Sequence, residues 1–305
     1  MQYGLQVGGG NYSEILEWAR WAEVQGLSGF AVPDHYLRGT RSDLGATALD
    51  ALAVISGLAR DTESIELVLL VSPITWRHPA VLAKTYATVD DMCGGRLTLG
   101  VGTGWFKKEH ELFGIPFPDT STRFEMLEEA LQYLRAAFSD PPESFHGEHY
   151  TFEAFDMNPR PHLRLIVGGT GAVKTPTLAG RYCDELNAYP APEANFAAKV
   201  RTAREAAADA GRDPDALMIS SSGVLVAGDT EADYRTRLEQ FAARTDSPVE
   251  KVEEDLEHRN SPRGTWDQVS QTLSGMERAG MERFWIQSFG DEPEVVERAL
   301  DRLRA

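Results

Sequence analysis

Residues 64–71 read Ser64-Ile65-Glu66-Leu67-Val68-Leu69-Leu70-Val71. A helix-forming stretch opened by Pro79 follows and ends near Met92, before Gly94-Gly95. Then comes Arg96-Leu97-Thr98-Leu99-Gly100-Val101. The run from Ser64 to Leu70 is apolar at nearly every position, which suits a strand covered on both faces. Proline at the first helical position and glycine just past the last are the ordinary punctuation of a helix. Strand, helix and strand in this order make a βαβ unit, and such units build parallel sheets.

The same rhythm extends in both directions. Upstream, strands are predicted over Tyr3–Val7 and Gly29–Val32. The helices there run from a cap at Ser13 to about Gln25, ahead of Gly26, and from Ala46 to Ala59. Downstream, a helix spans Arg123–Phe138, and strands follow over Arg164–Val167, Asp184–Asn187, Leu217–Ala227 and Arg283–Gln287. Helical patterns over 173–182, 193–210, 231–244, 249–257, 265–279 and 294–303 separate or close them. Eight strands, each with at least one helix, in 305 residues predict a closed (β/α)8 barrel. The alternative is an open doubly wound sheet with a second domain, but no linker or shift of composition divides the chain. It reads as one barrel domain over 1–305, with an irregular, proline-rich insertion at 139–162 after the fourth unit that has room for short strands. The Glu-rich stretch 249–258 reads as a solvated helix face.

Composition bounds the function. Hydrophobic residues make up 42% of the chain and charged residues 25%, as in an ordinary globular protein. No apolar run reaches the ~18 residues that span a bilayer, and the first residues hold no basic, apolar leader. Cys93 and Cys183 are far apart and form no CxxC, so the reading is a reduced, cytoplasmic protein without a disulfide framework or a cysteine metal site. The net charge of −17 disfavours nucleic acid as a partner. An anionic ligand would need a local site of backbone N–H groups or a few basic side chains.

In such a barrel, chemistry sits where strands end. After the second strand comes Pro33-Asp34-His35-Tyr36, a proton-transfer group beside a carboxylate. After the third comes Ser72-Pro73-Ile74-Thr75-Trp76-Arg77-His78-Pro79, a stiff loop in which Arg77 reads as structural before it reads as an anion contact. After the fourth comes Gly100-Val101-Gly102-Thr103-Gly104-Trp105. It is GxGxG and not a dinucleotide fingerprint, and its glycines let a flat ligand approach the backbone. After the fifth comes Gly168-Gly169-Thr170-Gly171-Ala172-Val173-Lys174-Thr175. It fails as a P-loop because Val173 stands where a glycine is required, yet it still opens a helix and offers N–H groups to a phosphate. His146 and His149 lack a third metal ligand, and Glu109-His110-Glu111 reads as a solvated helix face. Neither GxSxG nor HExxH occurs, so serine-hydrolase and zincin chemistry have no support.

Taken together, several motifs resemble one family. They are Pro33-Asp34-His35, Arg77-His78-Pro79-Ala80, Ala83-Lys84, Asp90, Gly94-Gly95-Arg96-Leu97, Leu99 to Trp105, Glu109, Phe113-Gly114-Ile115-Pro116, Gly168-Gly169, and Asp184 with Asn187. The family is that of the bacterial luciferase-like barrels, and within it the deazaflavin (coenzyme F420)-dependent oxidoreductases. Most of the signal lies between residues 30 and 116. The resemblance implies a (β/α)8 barrel, usually a homodimer, with an isoalloxazine-like ring across the strand ends. It implies that Asp34 and His35 contact the cofactor or substrate and that a non-proline cis peptide at Leu69-Leu70 props the ring. It also implies that Gly168 and Gly169 hold the cofactor phosphate. Ser72, Gly102, Thr103 and Thr170 join the cofactor contacts on the same ground. The family's sugar-phosphate dehydrogenases carry a glutamate where this chain has Trp105, which speaks against sugar-phosphate oxidation. Lys107, Lys108 or Lys174 could offset the anionic tail of F420.

The expected activity is hydride transfer between F420 and a small organic substrate, with His35 as acid or base and Glu109 next in line. The alternatives are an FMN-dependent monooxygenase and, in another class, a non-catalytic flavin-binding protein.

Overall fold

The structure, a computed structural model, describes residues 1–38 and 46–304. Eight parallel strands close into a barrel: β1 (Gln2–Val7), β2 (Phe30–Val32), β3 (Leu67–Pro73), β4 (Leu97–Gly102), β5 (Leu165–Gly169), β6 (Glu185–Ala188), β7 (Met218–Gly223) and β8 (Arg283–Ser288). Each strand pairs with its sequence neighbour in the ring, and β1 closes on β8 in the register Gln2↔Arg283 to Val7↔Ser288. The helices are α1 (Tyr12–Val24), α2 (Ala51–Asp61), α3 (Pro79–Met92), α4 (Lys107–Phe113), α5 (Thr120–Ala137), α6 (Lys174–Tyr182), α7 (Glu193–Asp209), α8 (Glu231–Arg244), α9 (Val249–His258), α10 (Trp266–Arg278) and α11 (Pro293–Arg304). The main core lies between barrel and helices, where Ile55, Leu58, Leu82 and Tyr86 meet the outward faces of the strands.

Local chemistry moves several predicted boundaries. Asn11, not Ser13, caps α1, because its side chain accepts from Glu14 N while the Glu14 carboxylate accepts from Asn11 N. Helix α2 starts at Ala51 under an Asp50 cap that accepts from Ala53 N at 3.0 Å. The predicted start at Ala46 is wrong: Ala46–Thr47 pairs antiparallel with Leu37–Arg38 instead. The strand predicted over 217–227 breaks after Gly223, and Val226–Gly228 leaves the barrel to pair with Arg263–Thr265. Within residues 139–162, Phe145–His146 and Thr151–Phe152 form a small antiparallel pair. It is tied down by Glu129 of α5, whose carboxylate accepts the N–H groups of Glu148, His149 and Tyr150 at 2.8–3.0 Å.

The interior of the barrel changes along its axis. At the N-terminal end Arg283 lies between Glu66 (2.9 Å) and Glu185 (3.5 Å), and Thr98 donates to Glu66 at 2.6 Å. Trp285 packs next, with Ala31, Val68, Leu70 and Ile166 around it. It fits only because its neighbour is Gly4: a Cβ there would lie 2.3 Å from the indole. Toward the C-terminal end the inward positions become small or polar. They include Gly100, Gly102, Gly168, Ser220, Ser222, Asn187, Gln6 and Gln287.

Candidate active site

Asp34 follows β2 and is fully buried. Both of its oxygens are taken. Ser72 Oγ donates to Oδ2 at 2.6 Å, and the Arg77 guanidinium reaches both oxygens, Nη1 on Oδ2 and Nη2 on Oδ1. Arg77 also donates to Asp50 Oδ2 at 2.6 Å, so one arginine ties the ends of β2 and β3 to the start of α2. Burial is the largest influence on the Asp34 carboxyl and pushes its pKa up, while Arg77 and Ser72 pull it back. Burial opposes the charge on Arg77, but the two carboxylates outweigh it and raise its pKa further. In this arrangement Asp34 and Ser72 shape the loop. Arg77 has the structural role its sequence context suggested.

His35 stands beside this network. Its Nδ1 lies 2.9 Å from Glu109 Oε2, and because a carboxylate only accepts, Nδ1 carries the proton. Glu109 is 1% exposed and its other oxygen accepts the N–H groups of Tyr36 and Leu37, each at 2.9 Å. The carboxylate thus fixes ring and loop together. The Nε2 of His35 has no hydrogen-bond partner among the described residues, and the side chain is 28% exposed. The structure brings together His35 and Glu109, which lie 74 positions apart in the sequence.

The reading of Glu109-His110-Glu111 as a solvated face is corrected. Glu109 and His110 are both buried, and only Glu111 faces outward. The His110 ring is neutral by its partners: Nδ1 meets the Phe106 carbonyl at 3.0 Å and must donate, while Nε2 accepts from Trp76 Nε1 at 2.9 Å. Thr75 Oγ1 adds a third contact at 2.7 Å. Burial pushes the pKa of His110 down, in keeping with that tautomer. Consecutive residues of α4 therefore clamp two different loops, Glu109 the loop after β2 and His110 the loop after β3. The available sequence signal was spacing: Phe106, Glu109 and His110 share one helical face, and Phe106 is apolar.

Across the barrel mouth from Gln6 and Gln287 lies a glycine floor. A Cβ on Gly102 would meet Val71 at 3.0 Å and the Gly168 carbonyl at 3.1 Å, and one on Gly168 would meet Val71 at 3.0 Å. Leu69 and Leu70 are both buried, Leu69 in the core between barrel and helices and Leu70 inside the barrel beside Trp285. The cis peptide joins Leu70 to Val71, one residue later than expected, so the bond precedes Val71, the side chain these glycines surround. Thr103 is half-buried, and among the described residues its Oγ1 reaches only the Gly104 carbonyl, at 3.5 Å. Beyond Gly169 the chain turns through Thr170 into α6, which has no side-chain cap. The N–H groups of residues 170–173 bond to no group among the described residues. Thr175 Oγ1 lies where a Cβ on Gly169 (3.1 Å) or Gly171 (3.0 Å) would crowd it. Free N–H groups at a helix N-terminus, with Lys174 in its first turn, fit an anion such as a cofactor phosphate.

A sequence profile of the luciferase-like monooxygenases matches residues 2–305. The chain belongs to this family. Among similar proteins of the luciferase-like family, an FMNH2-dependent dimethylsulfone monooxygenase of Pseudomonas putida is 28% identical over 229 residues. That alignment covers 74% of this chain and 62% of the relative. An F420-dependent glucose-6-phosphate dehydrogenase of Kineococcus radiotolerans is 31% identical over 172 residues, covering 55% of this chain and 50% of the relative. The matches thus span about half to three-fifths of these relatives' length. An F420-dependent secondary alcohol dehydrogenase, solved with an F420-acetone adduct, superposes with a TM-score of 0.80 at 22% identity, covering 100% of this chain and 99% of that one. At that identity the likeness establishes the luciferase-like barrel alone. No helix among the described residues is long and apolar enough to cross a membrane.

Proposed function

We propose that this luciferase-like enzyme transfers a hydride between coenzyme F420 and a small organic substrate, with His35 as the acid or base. The observation that carries this reading is the His35 imidazole, pinned through Nδ1 to the buried Glu109 so that Nε2 alone is left for a reacting oxygen. When bound, the deazaflavin supplies the hydride chemistry. The chain's own residues supply the rest. Val71, Gly102 and Gly168 form a floor flat enough for a ring system. The N–H groups from Thr170 to Val173 would hold the phosphate, with Gly168 and Gly169 letting it approach. Asp34, Ser72 and Arg77 keep the loop that carries His35 in one conformation. Glu109 acts through His35, as a positioning residue shut away from the mouth.

The F420-dependent relatives support this choice of cofactor, and His35 gives it a proton to exchange. The FMN-dependent monooxygenase reading draws on the relative whose alignment covers 74% of this chain. A side-by-side absorbance titration with F420 and FMN separates the two. Tight binding of F420 and weak binding of FMN is the expected result. The reverse order would replace the proposed reaction with monooxygenation, and binding of neither would end both.

A further inference from the structure

Side chains on β8 and β1 alternate between the outer core and the barrel interior. Trp285 fills the interior and Gly4 clears room for it. Gln287 and Gln6, two residues farther along each strand, therefore point inward one layer nearer the mouth, and they are register partners. A carbonyl only accepts, so the Gln6 amide that meets the Leu70 carbonyl turns its Nε2 toward it. That leaves Gln6 Oε1 facing Gln287, whose Nε2 donates to it at 2.6 Å. The orientation of the Gln287 amide is thereby set. One N–H is spent on Gln6, while Oε1 and the second N–H bond to no group among the described residues.

The other polar groups of this layer are closed on one another. Ser222 Oγ donates to Asn187 Oδ1 at 3.1 Å, Asn187 Nδ2 donates to Ser220 Oγ at 2.8 Å, and all three residues are buried. Gln287 is only half-buried. Next to it Phe289 stays 42% exposed above the end of β1, where a Cβ on Gly8 would meet its ring at 3.2 Å and Pro33 at 3.4 Å. Pro33 leads directly into Asp34 and His35. An oriented amide and an apolar ring thus stand together on the side of the mouth that also carries the imidazole. The floor of Val71, Gly102 and Gly168 lies across the mouth from Gln287, so a cofactor ring held there leaves this amide to the substrate.

We propose that Gln287 determines specificity and that the substrate carries a planar amide edge, as in a lactam or carboxamide. The substrate N–H donates to Gln287 Oε1, and the substrate C=O accepts the second Nε2–H. Gln6 is the positioning residue that keeps this edge in one orientation, and Phe289 takes the apolar body beside it. Two amides match donor to acceptor at both positions. An ester in the same place offers no donor and leaves Oε1 unpaired once water is displaced. This deepens the hydride-transfer reading and rests on it for the place of the substrate. The amide is the group by which the substrate is held, not the group that reacts.

The test is ligand-observed NMR with carbostyril and coumarin, flat bicycles that differ in having an N–H or an oxygen beside the ring carbonyl. It compares the parent with Gln287→Met, which keeps the length of the side chain without its amide. The parent should bind carbostyril about tenfold more tightly than coumarin, the worth of one hydrogen bond whose loss strands a shielded acceptor. Gln287→Met should bring the two within about twofold, chiefly by weakening carbostyril. Equal or tighter binding of coumarin by the parent overturns the proposal, and that arm needs no variant to fold. So does a preference that survives in Gln287→Met, or no carbostyril signal at millimolar concentration. F420 and FMN titrations of the same samples keep the two readings apart. Cofactor binding without a preference for carbostyril defeats the specificity proposal alone. A preference that depends on Gln287, with neither cofactor bound, upholds the amide contact and defeats the hydride-transfer reading. Cofactor affinity that falls in Gln287→Met, with no preference in the parent, would give the amide to the cofactor and overturn the proposal as well.

Discussion

At the N-terminal end of the barrel, Arg283 fills the axis between Glu66 and Glu185, with Trp285 stacked beyond it. At the other end of the same sheet, β4 and β5 present Gly102 and Gly168, and β3 presents Val71. One end is filled with large side chains whose charges are paired, and the other is kept clear. In a barrel the strands run through both ends, so the division of labour is made by side-chain size alone. Substitutions at the closed end should act on stability and those at the open end on chemistry.

The largest effect should come from His35→Asn at the open end. Removing a positioned acid or base costs roughly 10²–10⁴-fold in rate. Pre-steady-state hydride transfer followed by cofactor absorbance should fall in that range, with the cofactor titration unchanged. A variant that loses cofactor binding but transfers hydride normally at saturation would make His35 a binding residue.

Next is the closed end. Arg283→Met leaves Glu66 and Glu185 facing each other without their shared cation. Breaking a buried pair in this way typically costs about 3–5 kcal/mol, so urea unfolding should show that loss. Cofactor affinity measured well below the unfolding midpoint should be retained. If stability is unchanged, the closed end does not depend on its arginine.

Gly169→Val probes the boundary between floor and phosphate. Its Cβ would sit 3.1 Å from Thr175 Oγ1, and its methyl groups would enter the space before the free N–H run. Cofactor affinity should fall by about tenfold or more, equivalent to roughly 1.4 kcal/mol, with little change in melting temperature. Parent-like affinity would put the phosphate elsewhere.

The smallest effect is a pH dependence at α4. Burial lowers the pKa of His110 below its unfolded value, so the unfolded chain binds that proton first as pH falls. The stability contributed by the neutral ring is complete above the ordinary histidine pKa of about 6.5. It should be lost as pH drops from there through the depressed native value. Urea unfolding from pH 8 to 5 should show this slope in the parent and a shallower one in His110→Gln. Identical slopes would mean that another group governs the acid limb.

Much of the barrel was legible because its strands are short apolar runs between helix punctuation, as in residues 64–101. The positions just past those strands were legible for the same reason, which is how His35 and Gly168 came into view. What stayed hidden depends on partners distant in sequence. Glu109 and His110 looked solvated because a short charged helix gives no sign of which two loops it will meet. Arg77 gave no sign that it would join Asp34 to Asp50. The true start of α2 was obscured because Ala46-Thr47-Ala48-Leu49 suits a helix, until Leu37–Arg38 offers it a strand partner. Glu66 sits just ahead of β3 while Glu185 and Arg283 open β6 and β8, and only closure of the ring makes them a cluster.

The turn into α6 has an evolutionary consequence. Its donors between Thr170 and Val173, which bond to no group among the described residues, belong to the main chain, so their supply does not depend on which side chains stand there. Thr170, Ala172 and Val173 face solvent and can drift without removing one donor. Selection on such a grip would act on conformation, through the two small residues Gly169 and Gly171 that clear Thr175. Relatives could then diverge widely in this loop and keep its hold, which makes these outward positions suitable for randomised libraries meant to retune affinity.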